Sequence, residues 1–309
     1  MKKLPKIFKS RAAWGEYFEL KRTEEPHVHQ IEPTNYCPYS CMMCPRTNHM
    51  TRDTGFMQLD LYRKIIDEID TFQEPIRSKE IELFHFGESL IHPRLPEMIA
   101  YASGKGLNMV LSINPPSLNR KKIHDILDAK PSKIILSLDG HDSTSYRKIR
   151  GKRADYDKAL ENIKILLAYH KKIKSEIKLI IRMIEFNLNT AYTEKFKMQW
   201  QREGLDVEIR EFFPWTKKEM VKLGKVRKWR PYMPCPFPWQ YVAIQYNGDV
   251  VPCCRDYNGV NRIMNVKDHT LKEIWNSEKY ASFRRQHITG NYTGNDFCKE
   301  CMDIYYCEE

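Results

Sequence analysis

No stretch of this 309-residue chain approaches the roughly 18–20 consecutive apolar residues that a membrane-crossing helix needs. The lysine-rich start, with Lys2, Lys3, Lys6 and Lys9, is followed by no apolar run of the kind a secretory leader carries. Neither a membrane span nor an export signal is expected, and the chain reads as cytoplasmic. Internal repeats and low-complexity tracts are absent too, which removes solenoids and fibres from consideration. Cysteine is missing from all 190 residues of the segment 45–234. The nine cysteines therefore fall into two groups, and among reduced cytosolic thiols they are not explained by disulfides. Metal or redox chemistry at two separate sites is the leading reading.

A hydrophobic fraction of 41% with 12% aromatic residues suits a packed core, and the length allows one large α/β domain with a smaller appendage. Lys and Arg outnumber Asp and Glu by 51 to 40, giving a formal net charge of +11. That balance admits nucleic acid, an anionic membrane or a phosphorylated substrate as partner. The positive charge is spread over 2–22, 147–153 and 217–230, each of which reads as a solvated face more readily than as a nucleic-acid stripe.

Between the cysteine groups, short β-branched or apolar runs alternate with segments of helical period: 28–33 then 59–69, 80–86 then 93–103, 107–113 then 120–127, and 133–138 then 155–169. A strand at 176–184, a helix over 191–201 and a strand at 207–212 continue the rhythm. Gly104 and Gly106 close one helix, Asp139-Gly140 ends a strand, and Gly204 ends another helix. Six strands in this rhythm predict an α/β fold, a partial (β/α)6 barrel of TIM type over 28–212, preceded by an extension at 1–27. Residues 213–234, with Pro214, Pro231 and Pro234 around a basic middle, read as a linker or lid. Beyond it, 239–245 and 249–251 flank Asn247-Gly248, the residues a tight hairpin turn requires. Residues 271–287 have helical period, so 235–309 is expected to form a small module of hairpin plus helix.

Cys37, Cys41 and Cys44 are spaced C-x3-C-x2-C directly after the first strand, so three thiols share one loop at the strand's C-terminal end, where α/β barrels place chemistry. Three thiolates can hold three irons of a [4Fe–4S] cluster and leave the fourth open. The competing readings are a structural zinc site completed by His49, or buried free thiols. At these residues the sequence resembles the radical S-adenosylmethionine (SAM) superfamily, whose signature has this spacing with a bulky residue before the last cysteine, here Met43. The resemblance places Met43 among the cofactor-binding residues and extends along the strands. Phe86-Gly87-Glu88-Ser89 resembles the family's Gly-Gly-Glu-Pro motif, which implies that Gly87 and Glu88 meet the SAM amino group. Ser112 and Asn114 after strand three and Ser137 after strand four are implied to face the SAM ribose or methionyl group, and Arg182 in strand five to pair with its carboxylate.

The second group opens with Cys235, then Gly248 and Cys253, and closes with Cys298 and Cys301 in a C-x2-C pair. This spacing resembles SPASM or twitch modules, which bind auxiliary [4Fe–4S] clusters. The resemblance implies that Cys235, Cys253, Cys298 and Cys301 hold one closed auxiliary cluster, with a zinc ribbon as the competing reading. Cys307 lengthens the pattern, but the further cysteines of two-cluster modules are missing, so one auxiliary cluster is expected. The arrangement is similar to that of twitch-type aminocyclitol dehydrogenases. Cys254 follows a ligand on an extended segment and so points to the opposite face. By the resemblance it faces the substrate cavity, where its thiol could donate a hydrogen atom; a small side chain filling space is the plain alternative.

The implied activity is that of an oxidoreductase. SAM is cleaved to methionine and a 5′-deoxyadenosyl radical, which abstracts hydrogen from a small polar, sugar- or aminocyclitol-like substrate. A secondary alcohol becomes a ketone, with the auxiliary cluster as electron acceptor. Alternatives are an epimerase that returns hydrogen through Cys254, a SPASM-type peptide-modifying enzyme, an RNA-modifying enzyme supported by charge alone, and a non-enzymatic iron–sulfur or zinc protein. The family also implies a flavodoxin- or ferredoxin-type reductant. The basic stretch 217–230 suggests an anionic substrate, and neither membrane nor nucleic acid is expected as partner.

Overall fold

The computed structural model describes residues 8–216, 219 and 232–305. Its strands are β1 (Val28–Ile31), β2 (Ile81–Glu82), β3 (Met109–Ile113), β4 (Lys133–Ser137), β5 (Lys178–Glu185), β6 (Asp206–Glu211), β7 (Val242–Ile244) and β8 (Val250–Val251). The two-residue period of a strand divides their side chains. Leu111 and Ile113, Ile134 and Leu136, and Ile181 and Met183 lie at alternate positions and are buried in the main core. The intervening residues Val110, Ile135, Ile180 and Arg182 line a common cavity inside the curved sheet.

The sheet order is β6-β5-β4-β3-β2-β1-β7-β8. The first six strands run parallel, β7 runs parallel to β1, and β8 returns antiparallel to β7. This is the partial barrel that the strand–helix rhythm predicts. The hairpin expected within a separate module instead extends the same sheet, with Val28 opposite Val242 and Ile31 opposite Ile244. Without β7, the outer backbone groups of β1 would be left as an unpaired edge.

The helices are α1 (Arg11–Lys21), α2 (Pro45–Asn48), α3 (Leu59–Asp70), α4 (Leu95–Gly104), α5 (Arg120–Asp128), α6 (Ser143–Arg150), α7 (Tyr156–Lys172), α8 (Thr193–Arg202), α9 (Leu271–Asn276), α10 (Glu278–Thr289) and α11 (Asp296–Tyr305). On α3, Leu59, Tyr62, Ile65, Ile66 and Ile69 form one buried stripe. Each such side chain contributes about 1.5–3 kcal/mol by leaving water. Polar caps set the starts: Asn119 accepts from Lys122 N at 2.9 Å, and Asp142 and Ser145 form a capping box.

Three expectations change. The single helix over 271–287 is two helices, because Ser277 is extended and its Oγ accepts the Tyr280 N–H at 3.2 Å, which starts α10 anew. The expected extension contains α1, capped by Ser10, whose Trp14 and Phe18 are buried; Phe18 lies 5.3 Å from the Trp239 ring. A helix not expected from the sequence, α6, follows β4 and returns the chain to the thiol loop. Apart from Glu219, the basic stretch 217–230 lies outside the described residues, as does Cys307. Among the described residues, no helix is long and apolar enough to cross a membrane.

Candidate active site

The loop after β1 is stitched down before its cysteines begin. Thr34 Oγ1 donates to Gly55 O at 2.7 Å, and Asn35 accepts the Gly55 N–H at 2.8 Å while donating to Asp53 O at 2.8 Å. Within the loop, the Met42 N–H reaches Ile149 O at 2.9 Å and Arg46 donates to Tyr39 O at 2.5 Å. Cys44 turns the chain into α2, where Pro45 occupies a first-turn position that needs no N–H. Burial pushes the Cys37 thiol up to about 11 and that of Cys41 to about 12, and for both the neighbouring thiols add to the rise. Among the described residues no three His, Cys, Asp or Glu side chains stand as a preformed ion site. The donor set nonetheless fits: three soft sulfur ligands, free of disulfides and mutually close, are what iron–sulfur chemistry uses once their protons leave.

The end of β2 packs directly on this loop. At Gly87 a Cβ would lie 1.9 Å from Thr34 O, so only glycine fits. The Glu88 N–H donates to Tyr36 O at 2.7 Å, and its buried carboxylate accepts from Asn114 N at 3.0 Å, Asn114 Nδ2 at 2.5 Å and Leu90 N at 3.2 Å. Burial pushes the Glu88 carboxyl above its ordinary range, opposed by these donors. Met43 is buried, and its carbonyl accepts Trp215 Nε1 at 2.9 Å. Trp215, Phe86 and Tyr257 meet edge to face at 5.8–6.1 Å, forming an aromatic wall beside the loop.

The other sequence-predicted residues divide into two sets. Asn114 joins Glu88. Ser112 and Ser137 share a hydrogen bond of 3.1 Å, Ser137 stands in register with Arg182, and Arg182 donates to Glu208 at 2.8 Å. Arg182 thus already has a carboxylate partner within the protein. The inner cavity, about 490 Å³, runs from this row toward the N-terminal ends of the strands, away from the thiol loop. Four acidic and four basic side chains line it, so its wall is close to neutral.

The second thiol group gathers from three segments. Cys298 and Cys301 sit one turn apart on α11, Cys253 follows β8, and Cys235 precedes β7. Cys253 lies within the electrostatic reach of Cys235 and Cys301, as does Cys298; a hydrogen bond with the Cys254 thiol, followed by burial, raises Cys253 well above its ordinary range, and burial does so for Cys298. Cys254 lies in a turn, so its thiol meets that of Cys253 and does not point to the opposite face as an extended segment would require. Arg255 N approaches Cys253 Sγ at 3.3 Å and Asn261 Nδ2 approaches Cys298 Sγ at 3.7 Å, the type of N–H contact that tunes sulfur ligands. Cys254 Sγ lies 3.3 Å from the Tyr241 hydroxyl, whose ring packs 4.7 Å from His29, and Glu82 of the inner cavity acts on the thiol electrostatically.

Glu32, Arg52 and Arg150, which join these parts, carry no motif in the sequence. Glu32, fully buried, accepts two bonds from Arg52 at 2.8 and 2.6 Å and one from the Tyr246 N–H at 3.1 Å. Arg150 pairs with Asp139, whose Asp-Gly sequence reads locally as a turn.

Residues 31–184 match the radical SAM superfamily and residues 235–302 match SPASM, an iron–sulfur cluster-binding domain. A Pyrococcus furiosus protein described as the tungsten-containing aldehyde ferredoxin oxidoreductase cofactor-modifying protein is 23% identical, across 88% of this chain and 86% of its own. The S-adenosyl-L-methionine-dependent 2-deoxy-scyllo-inosamine dehydrogenase of Niallia circulans is 20% identical, across 89% of this chain and 92% of its own. Among solved structures, BtrN in complex with AdoMet and 2-DOIA superposes with a TM-score of 0.56 at 17% identity, over 88% of this chain and 91% of its own. Streptococcus suis SuiB bound to S-adenosylmethionine gives 0.64 at 16% identity, over 87% and 70%. At such identities the superpositions speak to the fold.

Proposed function

We propose, for a chain that belongs to the radical SAM superfamily and carries a SPASM iron–sulfur domain, that it oxidises a secondary alcohol of a small polar substrate to a ketone. When bound, the cluster and SAM supply a 5′-deoxyadenosyl radical for hydrogen abstraction, and the auxiliary centre supplies a one-electron acceptor. Cys37, Cys41 and Cys44 hold the first centre; Cys235, Cys253, Cys298 and Cys301 hold the second. Gly87 lets the backbone approach the loop, Glu88 and Asn114 present polar groups to the SAM amino end, and Ser112 and Ser137 face its ribose or methionyl part. Met43, Phe86, Trp215 and Tyr257 exclude water from the radical's path.

One observation carries this reading. β7 is hydrogen-bonded along β1, the strand that feeds the first thiol loop, so both thiol groups hang from one stretch of sheet. The charges of the inner cavity, which runs away from the thiol loop, are paired with one another: Lys133 meets Glu80 at 2.5 Å, Lys178 meets Asp206 at 3.2 Å, and Arg182 meets Glu208 at 2.8 Å. A one-electron protein carrier of the flavodoxin or ferredoxin type completes the reaction. The test is anaerobic turnover of SAM with 2-deoxy-scyllo-inosamine and a panel of inositols. Ketone and 5′-deoxyadenosine in equal amounts are expected; 5′-deoxyadenosine without ketone from any member would refute the dehydrogenase reading.

The contact of 3.3 Å between Cys254 Sγ and the Tyr241 hydroxyl favours a second reading, an epimerase in which the Cys254 thiol gives a hydrogen atom to the substrate carbon and the thiyl radical left behind is returned to the thiol by one electron from the flavodoxin- or ferredoxin-type carrier and one solvent proton. In deuterated water that enzyme places deuterium at the inverted carbon, and Cys254→Ser abolishes it. Ketone formation without exchange rules it out.

A further inference from the structure

The thiol loop at 37–44 and the buried carboxylate of Glu88 meet at one residue, Arg150, the last of α6. Its Nε and Nη2 lie 2.7 and 2.6 Å from Asp139 Oδ2, and its Nη1 donates to Asn114 Oδ1. Asn114 in turn donates two hydrogen bonds to Glu88 Oε2, at 3.0 and 2.5 Å. The main chain at the same place reaches the loop. Arg150 O lies 3.8 Å from Cys41 Sγ and Ile149 O accepts the Met42 N–H at 2.9 Å. The next residue, Gly151, has φ of 91°, and a Cβ there would lie 2.2 Å from Ser40 Oγ. Asp139 is itself anchored, accepting from Ile184 N at 2.8 Å and from Asn189 Nδ2 at 3.0 Å.

Arg150, Asp139 and Glu88 are all buried, at 6%, 1% and 1% exposure. A buried ion pair adds little net stability over apolar residues of similar volume, because desolvation offsets the attraction. What a planar guanidinium does supply is fixed direction between two partners. We infer that Arg150 is a positioning residue that locks the Glu88 carboxylate and the thiol loop into one geometry, so that SAM held at Glu88 meets the loop's cluster in a single pose. The inference rests on the proposed role of Glu88 toward SAM.

The experiment uses the full chain, reconstituted anaerobically, with SAM as the probe, in four forms: wild type, Arg150→Lys, Glu88→Gln and the double variant. Iron per chain reads the loop, and the SAM-induced change in the electron paramagnetic resonance of the reduced cluster reads affinity and pose. Arg150→Lys is expected to keep its iron, to bind SAM about 10- to 100-fold more weakly, as partners behind metal ligands commonly do when replaced, and to alter the SAM-bound spectrum. In the double variant it adds less to the loss from Glu88→Gln than it costs alone. Unchanged SAM binding and spectrum in Arg150→Lys, or fully additive losses, overturn the inference. Asp139→Asn, which loosens Arg150 without touching the Glu88 side chain, carries the same expectation and serves if circular dichroism shows Arg150→Lys unfolded. A wild type that holds its iron but binds no SAM refutes the underlying role of Glu88 and the inference with it.

Discussion

His85 Nε2 donates to the carbonyl oxygen of Cys254 at 2.7 Å, joining the segment after β2 to the segment that carries the second thiol group. The carbonyl can only accept, so this nitrogen bears the proton. Burial holds the ring neutral, with its pKa lowered to about 4, and Nδ1 lies 3.7 Å from the buried Glu32 carboxylate. Glu32 also binds Arg52, which donates to Tyr257 O at 2.5 Å. The two candidate metal centres are therefore held to each other through side chains as well as through the sheet.

Breaking the Glu32–Arg52 pair will cost much of the chain's stability. Glu32 is fully buried and the Arg52 side chain is 11% exposed, so Arg52→Met leaves a carboxylate without a counter-charge. A loss of about 3–5 kcal/mol is expected in urea unfolding of the metal-free chain. Adding Glu32→Gln to that variant restores most of it.

Acid will weaken the fold through its buried histidines. His287 is held at about 3 and His27 at about 4, chiefly by burial. Each is neutral when folded and titrates near 6.5 when unfolded, so the unfolded chain binds more protons. Stability is then complete above about pH 6.5 and falls as the pH drops toward the folded values, by about 1.4 kcal/mol per pH unit per histidine. His287→Gln should flatten that fall by one histidine's share; equal slopes in the two proteins would show that His287 does not contribute.

Iron content separates ligands from neighbours. Two [4Fe–4S] clusters correspond to about eight irons per chain. The Cys37→Ala, Cys41→Ala, Cys44→Ala triple variant and Cys253→Ala are each expected to hold about four. Cys254→Ala keeps about eight. Zinc in place of iron at the second group, found by elemental analysis, would replace the auxiliary cluster with a structural site.

Gly87→Ala acts on the first centre alone. Its Cβ meets the main-chain oxygen of Thr34, which has no flexible end to move aside, so the thiol loop must shift. About four irons should be lost while the second group retains its own, with a stability cost of about 1–3 kcal/mol.

The cysteine groups and the strand–helix rhythm were legible because spacing along the chain is the constraint itself. Three thiols within eight residues share a loop wherever it lies, and alternate apolar positions face one side of any strand. Gly87 and Glu88 were legible as a motif, while the reason for the glycine, the close approach of Thr34, needed the fold. Arg182 shows the other side: its strand was predictable, its engagement with Glu208 across β5 and β6 was not.

The chain by itself thus determined which residues are chemically able to bind metal and where the strands that carry them begin. Tertiary structure alone decided that the hairpin prolongs the barrel sheet, and that Glu32, His85, Asp139 and Arg150 become its internal ties. Those ties join residues 54, 169 and 36 positions apart, as in Glu32 to Phe86, His85 to Cys254 and Asn114 to Arg150. Whether a charge meets water or a partner depends on burial, and burial is created only when distant segments pack together.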